Sequence, residues 1–146
     1  MCFVLYLGTQ SEVPRIPWNE HSPTLCTDHV GQRAQAVKDK FSLPCVTYVG
    51  SDQGCGCGFR HAMFQGGDWP EESIVEPTEG SQSNHEALVA LIQQYFASHP
   101  FVELYGCWDG DFAEAVQHRE EISLQRIVQP EFRFRERGYY RVATAR

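Results

Sequence analysis

Two cysteines separated by single glycines form the segment with the clearest capacity for chemistry. The run Gly54-Cys-Gly-Cys-Gly58 follows an apolar stretch that ends at Gly50. Glycine lets the backbone turn sharply and approach a ligand closely, and the two thiols stand two residues apart. Thiolates so placed can bind one soft metal ion together or act as a redox pair. The sequence therefore predicts a thiol site at Cys55 and Cys57; the alternative is a tight turn in which both cysteines simply pack.

A tetrahedral zinc ion would need further ligands, and the sequence offers three candidates. These are Cys107, Cys2 and His61, the last of which follows Cys57 by four residues. Zinc binds cysteine sulfur and histidine nitrogen. If the strand that ends at Cys107 lies beside the strand that leads to Cys55, the two thiols meet at one sheet edge. We therefore expect a metal site made of Cys55, Cys57, Cys107 and His61, with zinc or another thiophilic metal as the cofactor.

The cysteines Cys2, Cys26 and Cys45 lie among apolar or β-forming neighbours and are interpreted as core residues. Cys2 also suggests a hydrolase, because a cysteine exposed by removal of Met1 is a nucleophile in some amidotransferase-like enzymes. Retention of Met1 would block that mechanism. The segment around Cys57 resembles the papain-type nucleophile segment but lacks its tryptophan and two spacer residues. A cysteine hydrolase is the weakest of these hypotheses.

A row of arginines near the end of the chain is a second candidate site. Arg133, Arg135 and Arg137 alternate with phenylalanines, which predicts a strand with the arginines on one face. Such a row can bind an anionic ligand. Alternatively, Glu120 and Glu121 on a neighbouring strand pair with the arginines across the sheet.

Composition and charge limit the classes of partner. The chain has 146 residues, 42% apolar residues and a net charge of −7, which fits one domain with its own core. Residues 1–118 carry 15 acidic and 5 basic side chains, so the main body repels phosphate backbones and nucleic acid is a poor partner. The longest apolar run, Cys2 to Leu7, is far shorter than a membrane span. We expect a cytoplasmic protein without membrane contact; a protein partner and the oligomeric state stay open.

Six segments have the apolar and β-branched composition of strands. They are residues 1–8, 25–30, 45–50, 101–107, 114–123 and 131–142. The first and third are expected inside the sheet and the second at its edge. The pair Asp109-Gly110 predicts a hairpin turn between the fourth and fifth.

Two main helices are predicted. Apolar spacing favours one over 31–41, and a Ser83-x-x-Glu86 capping box begins the other, which His99-Pro100 ends. Since each helix joins two strands, we expect a parallel pair within the sheet. The acidic segment 61–83 is predicted to be a loop or lid. The result is a single α+β domain, 1–146, with a mixed sheet of five or six strands and two main helices on one face.

Three motifs together resemble a family of small bacterial proteins of no assigned activity. The motifs are Tyr48-Val-Gly-Ser51, Gly54-Cys-Gly-Cys-Gly-Phe59 and Glu103-Leu-Tyr-Gly-Cys-Trp-Asp-Gly-Asp111. The resemblance covers most of the chain and implies one compact domain with a special role for the glycine-cysteine loop. It implies no substrate. The leading hypothesis is a thiol site for metal binding or redox chemistry, and the alternative is a non-catalytic interaction module.

Overall fold

A six-stranded mixed sheet forms the centre of the protein. The computed structural model describes residues 2–64, 72–74 and 79–144. The strands of the main sheet, in spatial order, are β2 (Cys26–His29), β3 (Cys45–Gly50), β1 (Phe3–Thr9), β6 (Phe101–Trp108), β9 (Gly138–Ala143) and β7 (His118–Ser123). Neighbours are antiparallel except β7 and β9, which run parallel. The predicted fold class, a single α+β domain with a mixed sheet, is confirmed.

A second, smaller sheet contains strands that the sequence analysis placed elsewhere. Its order is β5 (Glu72–Ile74), β4 (His61–Phe64) and β8 (Phe134–Arg135). The predicted loop or lid over 61–83 thus contains β4, β5 and the first turn of a helix, while 65–71 and 75–78 lie outside the described residues.

The helices cover opposite faces of the main sheet, so the prediction that they share one face is wrong. The α-helix α1 (Ser81–Gln93) packs Leu88 and Ile92 into the core cluster that contains Phe3. The 3₁₀ helix Gln32–Lys40 places Ala34 and Val37 in the other cluster, beside Val4 and Tyr6. Successive residues of a strand point to opposite faces, so β1 supplies both cores and is buried throughout. Two shorter 3₁₀ helices span Gly56–Gly58 and Leu124–Val128.

Four local predictions need correction. α1 begins two residues before Ser83, after Gly80, so the capping box does not form. Asp109-Gly110 is a turn, but β9 rather than β7 pairs with β6, so there is no hairpin. The strand predicted over 131–142 is divided between two sheets, because Arg137 has a φ of 52° and reverses the chain. The parallel pair that the sequence predicts is formed by β7 and β9. The strands joined by the first helix, β2 and β3, are antiparallel.

A buried histidine fixes α1 to the segment that follows the cysteine loop. His85 is fully buried; its Nε2 accepts the backbone N–H of Arg60 at 2.8 Å, and its Nδ1 donates to the carbonyl of Ile127 at 2.7 Å. Burial, with the nearby Arg60 and Arg133, lowers the pKa of His85 from 6.5 to about 4. The folded state therefore holds His85 neutral.

Among the described residues, no helix is long and apolar enough to span a membrane.

His85 should make stability depend on pH. Its unfolded pKa is 6.5 and its folded pKa is about 4, so the unfolded state binds the extra proton as the pH falls between these values. We expect the free energy of unfolding to fall by roughly 2 kcal/mol from pH 7 to pH 5 through this residue. Urea titrations of the wild type, His85→Gln and the exposed control His21→Gln measure it. If the free energy of unfolding changes equally with pH in all three proteins, or if the His85 ring titrates near pH 6.5 by NMR, His85 is not the cause.

Candidate metal centre

Three cysteine sulfurs converge where β1 begins. The Sγ atoms of Cys2, Cys55 and Cys57 all lie within 4.8 Å of one another, and within the described residues they form the one such group of three or more metal-ligating side chains. Cys2 is exposed and the other two are half-buried. All six cysteines are free thiols. Cys55 and Cys57 are thus brought together as predicted, but their third partner is Cys2.

Ser51 organises the loop that carries Cys55 and Cys57. Its hydroxyl donates to the carbonyl of Cys55 at 2.6 Å and accepts the N–H of Gly58 at 3.0 Å. Its backbone N–H also donates to the Cys55 carbonyl, at 2.7 Å. Tyr48 of β3 donates its hydroxyl to the carbonyl of Gly54 at 2.7 Å. The loop is therefore held at Gly54, Cys55 and Gly58 by β3 and the residue that follows it.

The N-terminus of α1 supports the same loop from the other side. Asn84 accepts the N–H of Asp52 at 3.1 Å and donates to the Asp52 carboxylate at 3.0 Å and to the Gly58 carbonyl at 3.1 Å. A side chain at Gly58 would collide with the Ser51 hydroxyl, so only glycine fits between Ser51 and Asn84. The backbone of the loop is thus fixed from two sides, by β3 with Ser51 and by α1.

Cys2 is held by the residue that follows β6, and its neighbour Phe3 contacts the cysteine loop. Its carbonyl accepts the N–H of Asp109 at 2.8 Å, and the next residue, Phe3, donates its N–H to the Cys57 sulfur at 3.3 Å. The backbone of Gly56 approaches so closely that a Cβ there would lie 2.7 Å from the Phe3 carbonyl oxygen. Cys2 was one of the three possible further zinc ligands but was predicted to be a core residue. It is exposed, and that interpretation is wrong.

Burial raises the pKa of Cys55. Desolvation is the main cause; the Cys57 side chain adds to it, while the Cys57 backbone and Cys2 act in the opposite direction. The fourth thiol of this region, Cys26, is buried, and its pKa is raised by desolvation and also by Asp28 and Cys55. Burial and mutual repulsion make it unfavourable for several neighbouring thiols to be ionised at once. A bound cation would offset that repulsion.

Cys107 does not join the cluster, so its prediction as a ligand is corrected. It is fully buried on β6 opposite Val4, in the core cluster beneath the 3₁₀ helix Gln32–Lys40. Desolvation, with Asp111 nearby, raises its pKa to about 12. Cys107 is a core thiol that burial keeps protonated.

His61 is also outside the cluster. Its ring is buried and stacks on Phe3 with centroids 4.6 Å apart, and its Nδ1 donates to the carbonyl of Phe59 at 2.8 Å. Burial lowers its pKa. His61 packs behind the β1 residue that follows Cys2, and its predicted role as a ligand is not supported by its position.

The three arginines are held in different elements by different partners. Arg133 donates to the carbonyl of Pro130 at 2.7 Å, and Arg135 contacts His118 at 3.5 Å. Arg137 pairs with Glu114 at 3.8 Å and with Glu136 at 3.9 Å. Because the strand predicted over 131–142 is broken at Arg137, the expected arginine face does not form.

The cross-strand partners expected for the arginines differ as well. In the β7–β9 pairing, Glu120 lies opposite Tyr140 and Glu121 lies opposite Arg141. Glu120 bonds His118 at 3.1 Å instead. Binding of an anion by Arg133, Arg135 and Arg137 stays a prediction without a shaped site.

Comparison with known proteins supplies no function for this site. No protein-family model, curated protein or solved structure matches the chain. The resemblance to a bacterial family therefore stays a prediction, and function has to be argued from the thiol cluster.

Gly56 should control the distance between Cys2 and the cysteine loop. A methyl group in Gly56→Ala meets the Phe3 backbone, which cannot move without disturbing β1. We expect a loss of about 1–3 kcal/mol in the free energy of unfolding and weaker binding of zinc or cadmium. Gly31→Ala is the matched control, since its methyl group meets nothing within 4 Å. Denaturant titration and metal titration of both variants test this, and equal behaviour would refute the role of the close approach.

Proposed function

We propose that this protein binds a thiophilic metal ion through Cys2, Cys55 and Cys57. The observation that carries the proposal is the convergence of three free sulfurs within 4.8 Å, drawn from two separate segments. Ligands of one zinc ion at about 2.3 Å stand roughly 4 Å apart, so only a small contraction is needed. The cysteine loop is fixed by Ser51 and Asn84 before any metal arrives, which lowers the entropic cost of binding.

Three thiolates favour soft metals. Zinc would take a fourth ligand from solvent or a small molecule, whereas copper(I) accepts three sulfurs alone. Calcium and magnesium ions prefer oxygen donors, so the cluster should not bind them. The cluster needs reduced thiols, which fits the expected cytoplasmic location.

Redox chemistry is the competing use of the same thiols. Redox-active cysteines have a lowered pKa, produced by a nearby cation or a helix N-terminus. Here the pKa of Cys55 is raised, mainly by burial. That direction disfavours redox reactivity at Cys55, whereas a metal ion can still bind by displacing the thiol proton. An interaction module built on the arginines is less supported, because Arg133 and Arg137 are occupied by local partners.

Single cysteine replacements test the ligand set. Cys2→Ser, Cys55→Ser and Cys57→Ser should each weaken zinc or cobalt binding by more than about a hundredfold, because loss of a ligand exceeds the loss typical of an outer-shell partner. The near-ultraviolet thiolate-to-cobalt absorption should fall with each ligand removed. Elemental analysis of protein purified without chelator should find one metal ion per chain.

Two cysteines outside the cluster serve as controls. Cys45→Ser and Cys107→Ala should keep the metal stoichiometry of the wild type, although loss of the buried Cys107 side chain will lower stability. Metal-free protein with strong peroxide sensitivity at Cys55 or Cys57 would favour redox chemistry instead. Metal loss in Cys107→Ala with a normal circular dichroism spectrum would contradict the proposed ligand set.

Metal affinity should rise with pH. Because burial raises the pKa of Cys55, its thiol is protonated at pH 7 and must release that proton on binding. Each displaced proton increases the apparent affinity about tenfold per pH unit. Competition with a chromophoric chelator from pH 6 to pH 8 measures the slope. An affinity that does not change with pH would mean that metal binding displaces no thiol proton.

A further inference from the structure

A cleft opens beside the thiol cluster on the face of the sheet covered by the 3₁₀ helix Gln32–Lys40. Its volume is about 430 Å³, which is within the range of small-molecule sites. Cys2 and Cys55 both line it, whereas the Cys57 sulfur is held by the N–H of Phe3. A metal ion bound by the three sulfurs would therefore lie at the wall of this cleft, where a ligand in the cleft could reach it.

The floor of the cleft is apolar and aromatic. Val4 and Tyr6 of β1 and Tyr48 of β3 form it, and the two tyrosine rings meet edge to face at 5.8 Å. Tyr6 is buried and Tyr48 is held by its bond to Gly54. The floor is thus preformed and suits the short hydrocarbon part of a ligand.

The rim carries two opposite charges that have no partner within the described part of the chain. Arg33 and Asp109 both line the cleft, are exposed, and take part in none of the ion pairs there. The third charged rim residue, Asp28, is paired with Arg15 at 3.1 Å. Burial is the main cause that raises the pKa of Tyr6; Asp109 adds to it and Arg33 opposes it, so both charges act on the same hydroxyl group. One available cation and one available anion at a small cleft select a zwitterion over a simple anion.

We propose that the cleft binds a small zwitterionic aminothiol acid, whose carboxylate pairs with Arg33 and whose ammonium group pairs with Asp109. The thiol of the ligand releases its proton to solvent and takes the open coordination position on the metal. This last contact rests on the proposed metal site, whereas the recognition of the charged groups rests on the cleft alone. A soft donor is the ligand that a metal with three thiolates accepts most readily.

The test uses the full chain loaded with zinc and titrated calorimetrically with L-cysteine. L-serine has the same charged groups without a soft donor, and cysteamine has the thiol without the carboxylate. L-cysteine should bind at least about tenfold more tightly than L-serine and about fivefold more tightly than cysteamine. Arg33→Gln should remove the advantage of L-cysteine over cysteamine, because the carboxylate loses its partner. Lys38→Gln, a change on the same 3₁₀ helix outside the cleft, should behave as the wild type.

The same titrations on metal-free protein, followed by ligand-observed NMR, separate the two proposals. There, L-cysteine and L-serine should bind equally weakly, and Arg33→Gln should weaken both about fivefold. If zinc fails to bind but this Arg33 dependence is seen, the proposed metal function is wrong and the zwitterion cleft stands. If Arg33→Gln changes nothing in either form, or if L-cysteine only strips zinc from the protein, the cleft proposal is overturned.

Discussion

The close approach of the cysteine loop to the first strand is the constraint on which the site depends. Gly56 passes so near the Phe3 carbonyl that no larger residue fits, and the Phe3 N–H reaches the Cys57 sulfur at 3.3 Å. Phe3 is also fully buried in the main core, so its backbone position is fixed by packing. The distance from Cys2 to Cys55 and Cys57 is consequently set by the hydrophobic core, not by the loop alone.

The loop could be predicted from local composition, because glycines on either side of two cysteines permit a sharp turn that keeps the two thiols close in sequence. The third cysteine of the cluster could not be predicted in the same way. β6 is buried on both faces, so its sequence lacks the polar alternation that would show which way Cys107 points. Cys107 lies opposite Val4 and beneath the 3₁₀ helix, away from the loop. Only the pairing of β1 between β3 and β6 brings Cys2 to the loop.

The sheet itself was largely predictable and its ends were not. Strands β1, β2, β3 and β6 follow the predicted apolar segments. The alternation of phenylalanine and arginine after residue 131 is typical of one continuous strand, but the left-handed backbone at Arg137 ends it. Non-glycine residues adopt that conformation rarely, and nothing in the local sequence marks it. The error in this segment also explains the wrong hairpin, since β9 occupies the place beside β6 that was assigned to β7.

The groups that support the loop differ in their sensitivity to pH: Ser51 and Asn84 do not titrate, whereas His85 does. Ser51 and Asn84 are uncharged, so their bonds to Cys55 and Gly58 persist across the physiological range. His85, which holds the same helix one residue further on, must stay neutral to accept the Arg60 N–H through Nε2 and donate to the Ile127 carbonyl through Nδ1. Protonation of Nε2 would turn that acceptor into a donor facing another donor. Acid should therefore weaken metal binding first, because protons compete for the thiols already between pH 8 and pH 6. The attachment of α1 should loosen only as the pH approaches 4, where His85 takes up a proton in the folded state.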